Sequence, residues 1–337
     1  MIHTYANIAL PLWLCCLLFA CNPNAGPEKT NTPKNKANAA LDSITDLIQR
    51  NPKDPFAYAG RAQLYFERNN YDAALTDLQS AITLDSMQPP FYHLLADVYL
   101  QYFKSWQGLR TMQKAAELFP QHIPTLQKLS TTQLMLKQYD ESMKTIERIF
   151  SIDPQNADGF LTLGLNLKEM GDTARAINSF QKAVNYNADL IDAWINLGQL
   201  HESKGHKIAG KYYESAVQIA SDDVLTLHAR ADYYTRMNLL PEALSDYKRI
   251  TEIKPDYETA FFNSGLLYLD LDSTALAFTQ FDNTINIAPL HVRAHYFRGY
   301  CSELLGNKEE AKADYRKALS FSPDFNLAIQ GLNRLGN

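Results

Sequence analysis

Residues 157–190 read ADGFLTLGLNLKEMGDTARAINSFQKAVNYNADL. Small residues, Gly164 and Ala176, sit between bulky ones, Phe160 and Phe180, at the offsets two packed helices require, because close approach is possible only where side chains nearly vanish. The same plan recurs every 34 residues. Prolines at 52, 120, 154, 255, 289 and 323 are separated by 68, 34, 101, 34 and 34, multiples of 34 apart from one missing residue.

Aligned on this period, the chain falls into eight units: 55–88, 89–122, 123–156, 157–190, 191–223, 224–257, 258–291 and 292–325. The fifth is one residue short in its internal turn. The eighth position of each unit is Ala62, Ala96, Ser130, Gly164, Gly198, Ala231, Gly265 or Gly299, and the twentieth is Ala74, Gly108, Ser142, Ala176, Ala209, Ala243, Ala277 or Ala311. Large residues fill the complementary slots. The twenty-fourth position holds Leu78, Met112, Ile146, Phe180, Tyr213, Tyr247, Phe281 and Tyr315, and the fourth holds Tyr58, Tyr92, Leu126, Phe160, Trp194, Leu227, Phe261 and His295.

This pattern resembles the tetratricopeptide repeat, whose aromatic, small, Tyr, Ala, aromatic and closing Pro slots share the 34-residue period. The resemblance implies an all-α solenoid: a right-handed superhelix of about eight helix-turn-helix repeats spanning residues 55–325. Ala40, Ile44, Leu47 and Pro52 predict a preceding half-repeat helix over residues 39–54. Leu327, Leu332 and Leu335 predict a C-terminal capping helix over residues 326–337, as a stack that buries its faces only against neighbours requires end pieces. One continuous stack with no second domain is expected.

The N-terminus reads as an address. Residues 8–20 are an almost unbroken apolar run with no charge, shorter than the roughly 20 residues of a membrane span and suited to a secretory signal. It ends Leu18-Phe19-Ala20-Cys21, which resembles the lipobox of bacterial lipoproteins; the resemblance implies a signal peptide over residues 1–20 and lipid attachment at Cys21. An ordinary secretory signal with an incidental cysteine is the alternative. Residues 21–38, with Pro23, Pro27, Pro33 and Gly26 among Asn, Lys and Thr, read as a flexible tether. The expected location is the bacterial cell envelope, at the outer membrane and on its periplasmic face. With Cys15 and Cys16 in the signal, Cys301 is the one remaining thiol and is expected to be a small buried hydrophobe.

Composition agrees with an ordered helical protein: 46% apolar, 20% charged, and 14 Gly in 337 residues. A net charge of −5 offers no overall electrostatic pull toward nucleic acid or anionic lipid. No Gly-rich phosphate loop, CxxC pair or nucleophile elbow is present, so a non-enzyme without cofactor is expected. His291 and His295, four apart, are the sharpest candidate for a metal, but lack a third ligand at matching spacing. His201 reads as an interhelix histidine, and Asp222-Asp223 and Glu309-Glu310 as charges at turns or helix starts.

By resemblance, positions two, five, six, nine, twelve and thirteen of each first helix line a concave groove. In the last three units these positions supply the candidate partner-binding residues His228, Asp232, Phe262, Asn263, Leu266, Arg293, Tyr296 and Tyr300. The expected function is a lipid-anchored scaffold or adaptor holding a peptide or helix of another envelope protein. The alternative is a lipoprotein binding a small molecule or glycan, with Tyr296, Tyr300 and Trp194 as stacking surfaces.

Overall fold

The computed structural model describes residues 33–336, which hold eighteen helices and no strand. The signal segment, Cys21 and most of the tether lie outside the described residues. Contacts between backbone segments divide the chain into two compact units at Ser86 and Met87, whereas the 34-residue periodicity runs through that point unbroken.

The first unit contains α1 (Pro33–Arg50), α2 (Pro55–Phe66) and α3 (Tyr71–Leu84). α1 starts at Pro33, ahead of the expected boundary at residue 39, so the last part of the expected tether is helical. Its buried residue is Ile48, not the expected Leu47, which is 46% exposed. Register explains the exchange: Ile48 is four residues after Ile44, whose side chain lies against Gly60 of α2.

The second unit is a run of seven helical hairpins and a final helix. The pairs are α4 (Pro89–Gln101) with α5 (Ser105–Leu118), α6 (Ile123–Met135) with α7 (Tyr139–Ile152), and α8 (Ala157–Glu169) with α9 (Thr173–Tyr186). They continue as α10 (Ile191–Ser203) with α11 (Ala209–Ile219), α12 (Val224–Arg236) with α13 (Leu240–Ile253), and α14 (Glu258–Asp270) with α15 (Thr274–Ile287). The last pair is α16 (Val292–Leu304) with α17 (Lys308–Phe321), followed by α18 (Asn326–Leu335). The missing residue of the fifth unit appears as a shortened second helix, α11, with 11 residues where its counterparts have 14.

Both kinds of turn follow from single residues. Each ladder proline sits second in a four-residue turn between repeats, as in Asp153-Pro154-Gln155-Asn156, where the Asn156 N–H donates to the Asp153 carbonyl at 3.2 Å. Proline presets φ for that position. Inside each repeat the first helix ends on a residue of positive φ: Asn69, Phe103, Lys137, Gly171, Gly205, Asn238, Asp272 or Gly306. The next N–H then reaches five residues back, as Asp172 does to the Leu167 carbonyl at 2.8 Å, closing a Schellman motif.

The core is the alternation of small and large seen in the sequence. All sixteen small residues at positions eight and twenty are buried, and every residue at position twenty-four is at most 1% exposed. The fit is direct: a Cβ on Gly164 would stand 2.6 Å from Phe180, and one on Gly265 would stand 2.6 Å from Phe281. At the C-terminal end α18 buries Ala328 and Gly331, with Leu332 and Leu335 packed on Tyr296 and Tyr315. Leu327, expected on the buried stripe, is 44% exposed. Ala328, one residue later, carries the stripe instead.

A polar clamp that the sequence reading did not anticipate recurs in three repeats. Arg61, Arg230 and Arg298, each at the seventh position, bind Asp77, Asp246 and Asp314 at the twenty-third through two parallel N–H···O bonds of 2.6–2.8 Å. The aspartates are buried, and the fork geometry of guanidinium and carboxylate locks the two helices of one hairpin in register.

Candidate functional site

Within the second unit, first helices of successive repeats adjoin one another, as α4 does α6, α6 does α8, and α10 does α12, and so build a wall. Along it, long polar side chains bridge neighbouring repeats. Lys128 reaches Asp97 at 2.7 Å, Lys168 reaches Asn196 at 2.7 Å, and Arg236 binds Glu202. At the end of the wall Arg334 of α18 binds Glu303 at 2.9 Å.

Between α12 and α14 the wall opens into a cavity of about 370 Å³ lined by Asp232, Thr235, Arg236, Tyr247, Asn263, Leu266, Leu267 and Asp270. Three of the eight sequence-predicted residues, Asp232, Asn263 and Leu266, line it, and a fourth, His228, contacts Asp232. Asp232 accepts a hydrogen bond of 2.7 Å from the Tyr247 hydroxyl, and the Asn263 amide donates to that same hydroxyl at 3.1 Å. His228 stands behind them, its Nε2 3.4 Å from Asp232 Oδ1 and its Nδ1 3.1 Å from the Tyr257 hydroxyl. Leu266 is half-buried and gives the cavity an apolar side. Arg236 is neutralised by Glu202, which leaves the carboxylates of Asp232 and Asp270 to set the local charge.

The other four form a second, mostly packed cluster. Phe262 is 5% exposed, with His291 at 4.8 Å, Phe281 at 5.6 Å and Phe297 at 5.9 Å between ring centres. Tyr296 is 7% exposed and stacks on Tyr315 at 5.6 Å, with Phe325 edge-on at 5.6 Å. These two were expected to face an open groove, and the structure corrects that. The cause is the last residue of each repeat, which caps or precedes the next first helix and folds over position five of its own repeat. His122 covers His93, Tyr257 covers His228, His291 covers Phe262 and Phe325 covers Tyr296 in this way. Tyr300 stays half-buried beside Tyr296, and Arg293 stays exposed with its guanidinium 4.9 Å from the Phe262 ring centre.

Three tyrosines at position twenty-four were read from sequence only as core. Their rings are buried, but their hydroxyls reach acids of the wall: Tyr213 to Glu202, Tyr247 to Asp232 and Tyr315 to Glu303. Burial and then the carboxylate partner push all three phenols above their ordinary range. The signal was present in the sequence. In each of these units an acid stands at position nine or twelve, whereas the units with Phe180 and Phe281 have Leu165 and Lys168, or Leu266 and Leu269, there.

The remaining candidates have structural partners. His291 caps α16 through its Nδ1, 3.0 Å from the Ala294 N–H, and His295 Nε2 lies 3.0 Å from the Pro289 carbonyl. The two rings thus serve different contacts, and among the described residues no three potential metal ligands converge. His201 lies with its Nδ1 2.9 Å from His206 Nδ1 and stacks on Tyr212. Trp194 donates its indole N–H to the Ala188 carbonyl at 2.7 Å. Cys301 is buried, and burial pushes its thiol up to about 12. No described helix is long and apolar enough to cross a membrane.

Comparison with known proteins agrees with this architecture. Tetratricopeptide repeat families match residues 62–101, 157–190 and 292–325. The chain is 36% identical over 67 residues to the human protein O-mannosyl-transferase TMTC1, covering 20% of this chain and 8% of that one. It is 25% identical over 177 residues to a DnaJ homolog subfamily C member 7 homolog of Dictyostelium discoideum, covering 51% and 29%. In both cases the match spans less than a third of the curated relative's length. The crystal structure of the C-terminal part of a TPR repeat-containing protein from Cytophaga hutchinsonii superposes with a TM-score of 0.52 at 20% identity, covering 80% of this chain and 98% of that one.

Proposed function

Since the chain is a tetratricopeptide-repeat protein, we propose that it is a lipid-anchored, non-catalytic adaptor that holds a peptide or helix of another cell-envelope protein against its wall of first helices. Scaffolding of protein–protein contacts is the role typical of this fold. The observation that carries the reading is the open cavity of the sixth and seventh repeats, where Asp232, Asn263, Leu266 and Asp270 present hydrogen-bonding, charged and apolar groups side by side. Most of the lining is polar, with Leu266 and Leu267 as its apolar side, which suits a partner offering hydrogen-bond donors beside an aliphatic group. The anchoring part rests on the lipobox-like Leu18-Phe19-Ala20-Cys21.

Crosslinking and co-purification from membranes test the reading. The variants are Asn263→Ala, Leu266→Asp and Arg293→Ala, whose side chains contribute to the surface, and not Tyr296→Ala, which would remove a buried ring from the stack. Loss of one protein partner in the first two variants, with an unchanged melting temperature for Asn263→Ala, is the expected result. Equal recovery of every partner from all variants would overturn it. Metabolic labelling with a radioactive fatty acid, compared with Cys21→Ala, tests the anchor separately.

A further inference from the structure

The internal turn of the second repeat breaks the rule its counterparts follow. Where the other turns place Asn, Lys, Gly or Asp at the left-handed position, this one places Phe103, at φ 57° and 95% exposed. A bulky aromatic is disfavoured in that backbone region, and here no burial offsets the strain, so the outlier points to a role outside the fold. Trp106, three residues on, is 63% exposed, and the Lys104 ammonium lies 3.9 Å from the centre of the Tyr102 ring.

Charge around the turn is equally local. Within a chain of net charge −5, residues 98–116 carry Lys104, Arg110 and Lys114 and no Asp or Glu. Trp106, Arg110 and Lys114 are spaced four apart on α5 and all exposed, so the indole and two cations share one outward stripe leading away from the Phe103 tip. Aromatic rings at the tip with cations behind them match the bilayer interface, where Trp and Phe sit among the headgroups and Lys and Arg meet phosphates.

We propose that this turn is a membrane-interface contact: Phe103 and Trp106 enter the headgroup region of an anionic bilayer while Lys104, Arg110 and Lys114 pair with lipid phosphates. It goes beyond partner binding and rests on the membrane-proximal placement proposed above. A lipid on Cys21 leaves the orientation of the folded body free, so a contact on the body itself would set which way the wall of first helices faces.

The test uses the full chain bound to vesicles of phosphatidylethanolamine and phosphatidylglycerol whose acyl chains carry bromine. The contribution of Trp106 is read as the difference between wild type and Trp106→Phe. The expected result is a Trp106 component shifted to shorter wavelength and quenched by the bromolipid, with quenching reduced several-fold in Phe103→Asn while its melting temperature does not fall. A Trp106 component that stays at its aqueous wavelength and unquenched would overturn the proposal. Flotation of the chain with vesicles but no Trp106 quenching would leave the anchor standing and remove the turn contact. Quenching of Trp106 in Cys21→Ala would support the turn contact independently of the anchor. Loss of a protein crosslink in Trp106→Phe without any bromolipid effect would assign the turn to a protein partner instead.

Discussion

At the scale of single residues, the fold depends on contacts with almost no slack. Gly265 faces Phe281 where a methyl group has no room, so the helix-propensity gain of Gly265→Ala, about 1 kcal/mol, is outweighed by overpacking of about 1–3 kcal/mol. A lower midpoint in thermal and urea unfolding is expected, and a higher one would refute the close-packing account. The arginine clamps give a second prediction. Asp246→Ala strands the guanidinium of Arg230 in a mostly buried site and should cost about 2–3 kcal/mol, whereas Arg230→Met with Asp246→Leu should recover most of it. The clamp was hidden in the sequence because an Arg and an Asp sixteen residues apart look like two unrelated surface charges until the hairpin closes. The groove residues were misplaced for a related reason. The family resemblance put Phe262 and Tyr296 on the groove side of their helices, but it says nothing of His291 and Phe325, which arrive from the following turn and cover them. Asp232 and Leu266 at position nine and Asn263 at position six line the cavity between α12 and α14.

At the scale of the helix and its turns, much more was legible. A proline at the second position of a tight turn and a small residue at each helix crossing are local requirements, and a local requirement leaves its mark in one sequence. The missing residue of the fifth unit was visible in the proline spacing, and it shortens α11 without disturbing Ala209 or Tyr213, which stay buried. Helix starts were less legible. α1 begins at Pro33 because proline suits a first turn, although the Asn- and Lys-rich residues after it look like linker. The turn of the second repeat offers a prediction at this scale. Phe103 has a strained backbone and a side chain in solvent, so Phe103→Gly should stabilise the protein by about 1 kcal/mol, read as a higher melting temperature. The reverse change, Gly171→Phe, should destabilise the fourth repeat by a comparable amount. A lower melting temperature for Phe103→Gly would mean that the ring supports the turn, and the functional explanation of the outlier would fail with it.

At the scale of the whole molecule, hairpins bury their faces against neighbours, so stability is close to a sum of local terms and a local titration registers in the global unfolding curve. Three histidines of the second unit are held below their ordinary pKa. Burial, then the nearby Lys128 and His122, push His93 down to about 4, while burial first and then the neighbouring His206 and Lys204 lower His201; His291 is lowered chiefly by burial. The sign follows from linkage. Above about pH 6.5 these imidazoles are neutral in both folded and unfolded chains, and their contribution to stability is fully present. As pH falls below that value the unfolded chain takes up protons that the folded chain refuses, and stability drops until the folded values are passed, near pH 4 for His93. Most carboxylates titrate lower, so the interval from pH 7.5 to 5.5 isolates the histidines. The melting temperature should therefore hold from pH 7.5 to about 6.5 and fall from there to pH 5.5, and His93→Gln should flatten that fall, since an amide at that place carries no proton to refuse. His93 lies with its Nε2 2.8 Å from the Thr125 hydroxyl, beside the Asp97–Lys128 bridge, so the same protonation would loosen the junction between the second and third repeats first. Hydrogen exchange at pH 5.5 should accordingly quicken in α4 and α6 ahead of α14 and α16. Uniform exchange across the second unit, or a melting temperature unmoved between pH 7.5 and 5.5, would show that these imidazoles are neutral for reasons that do not strain the stack.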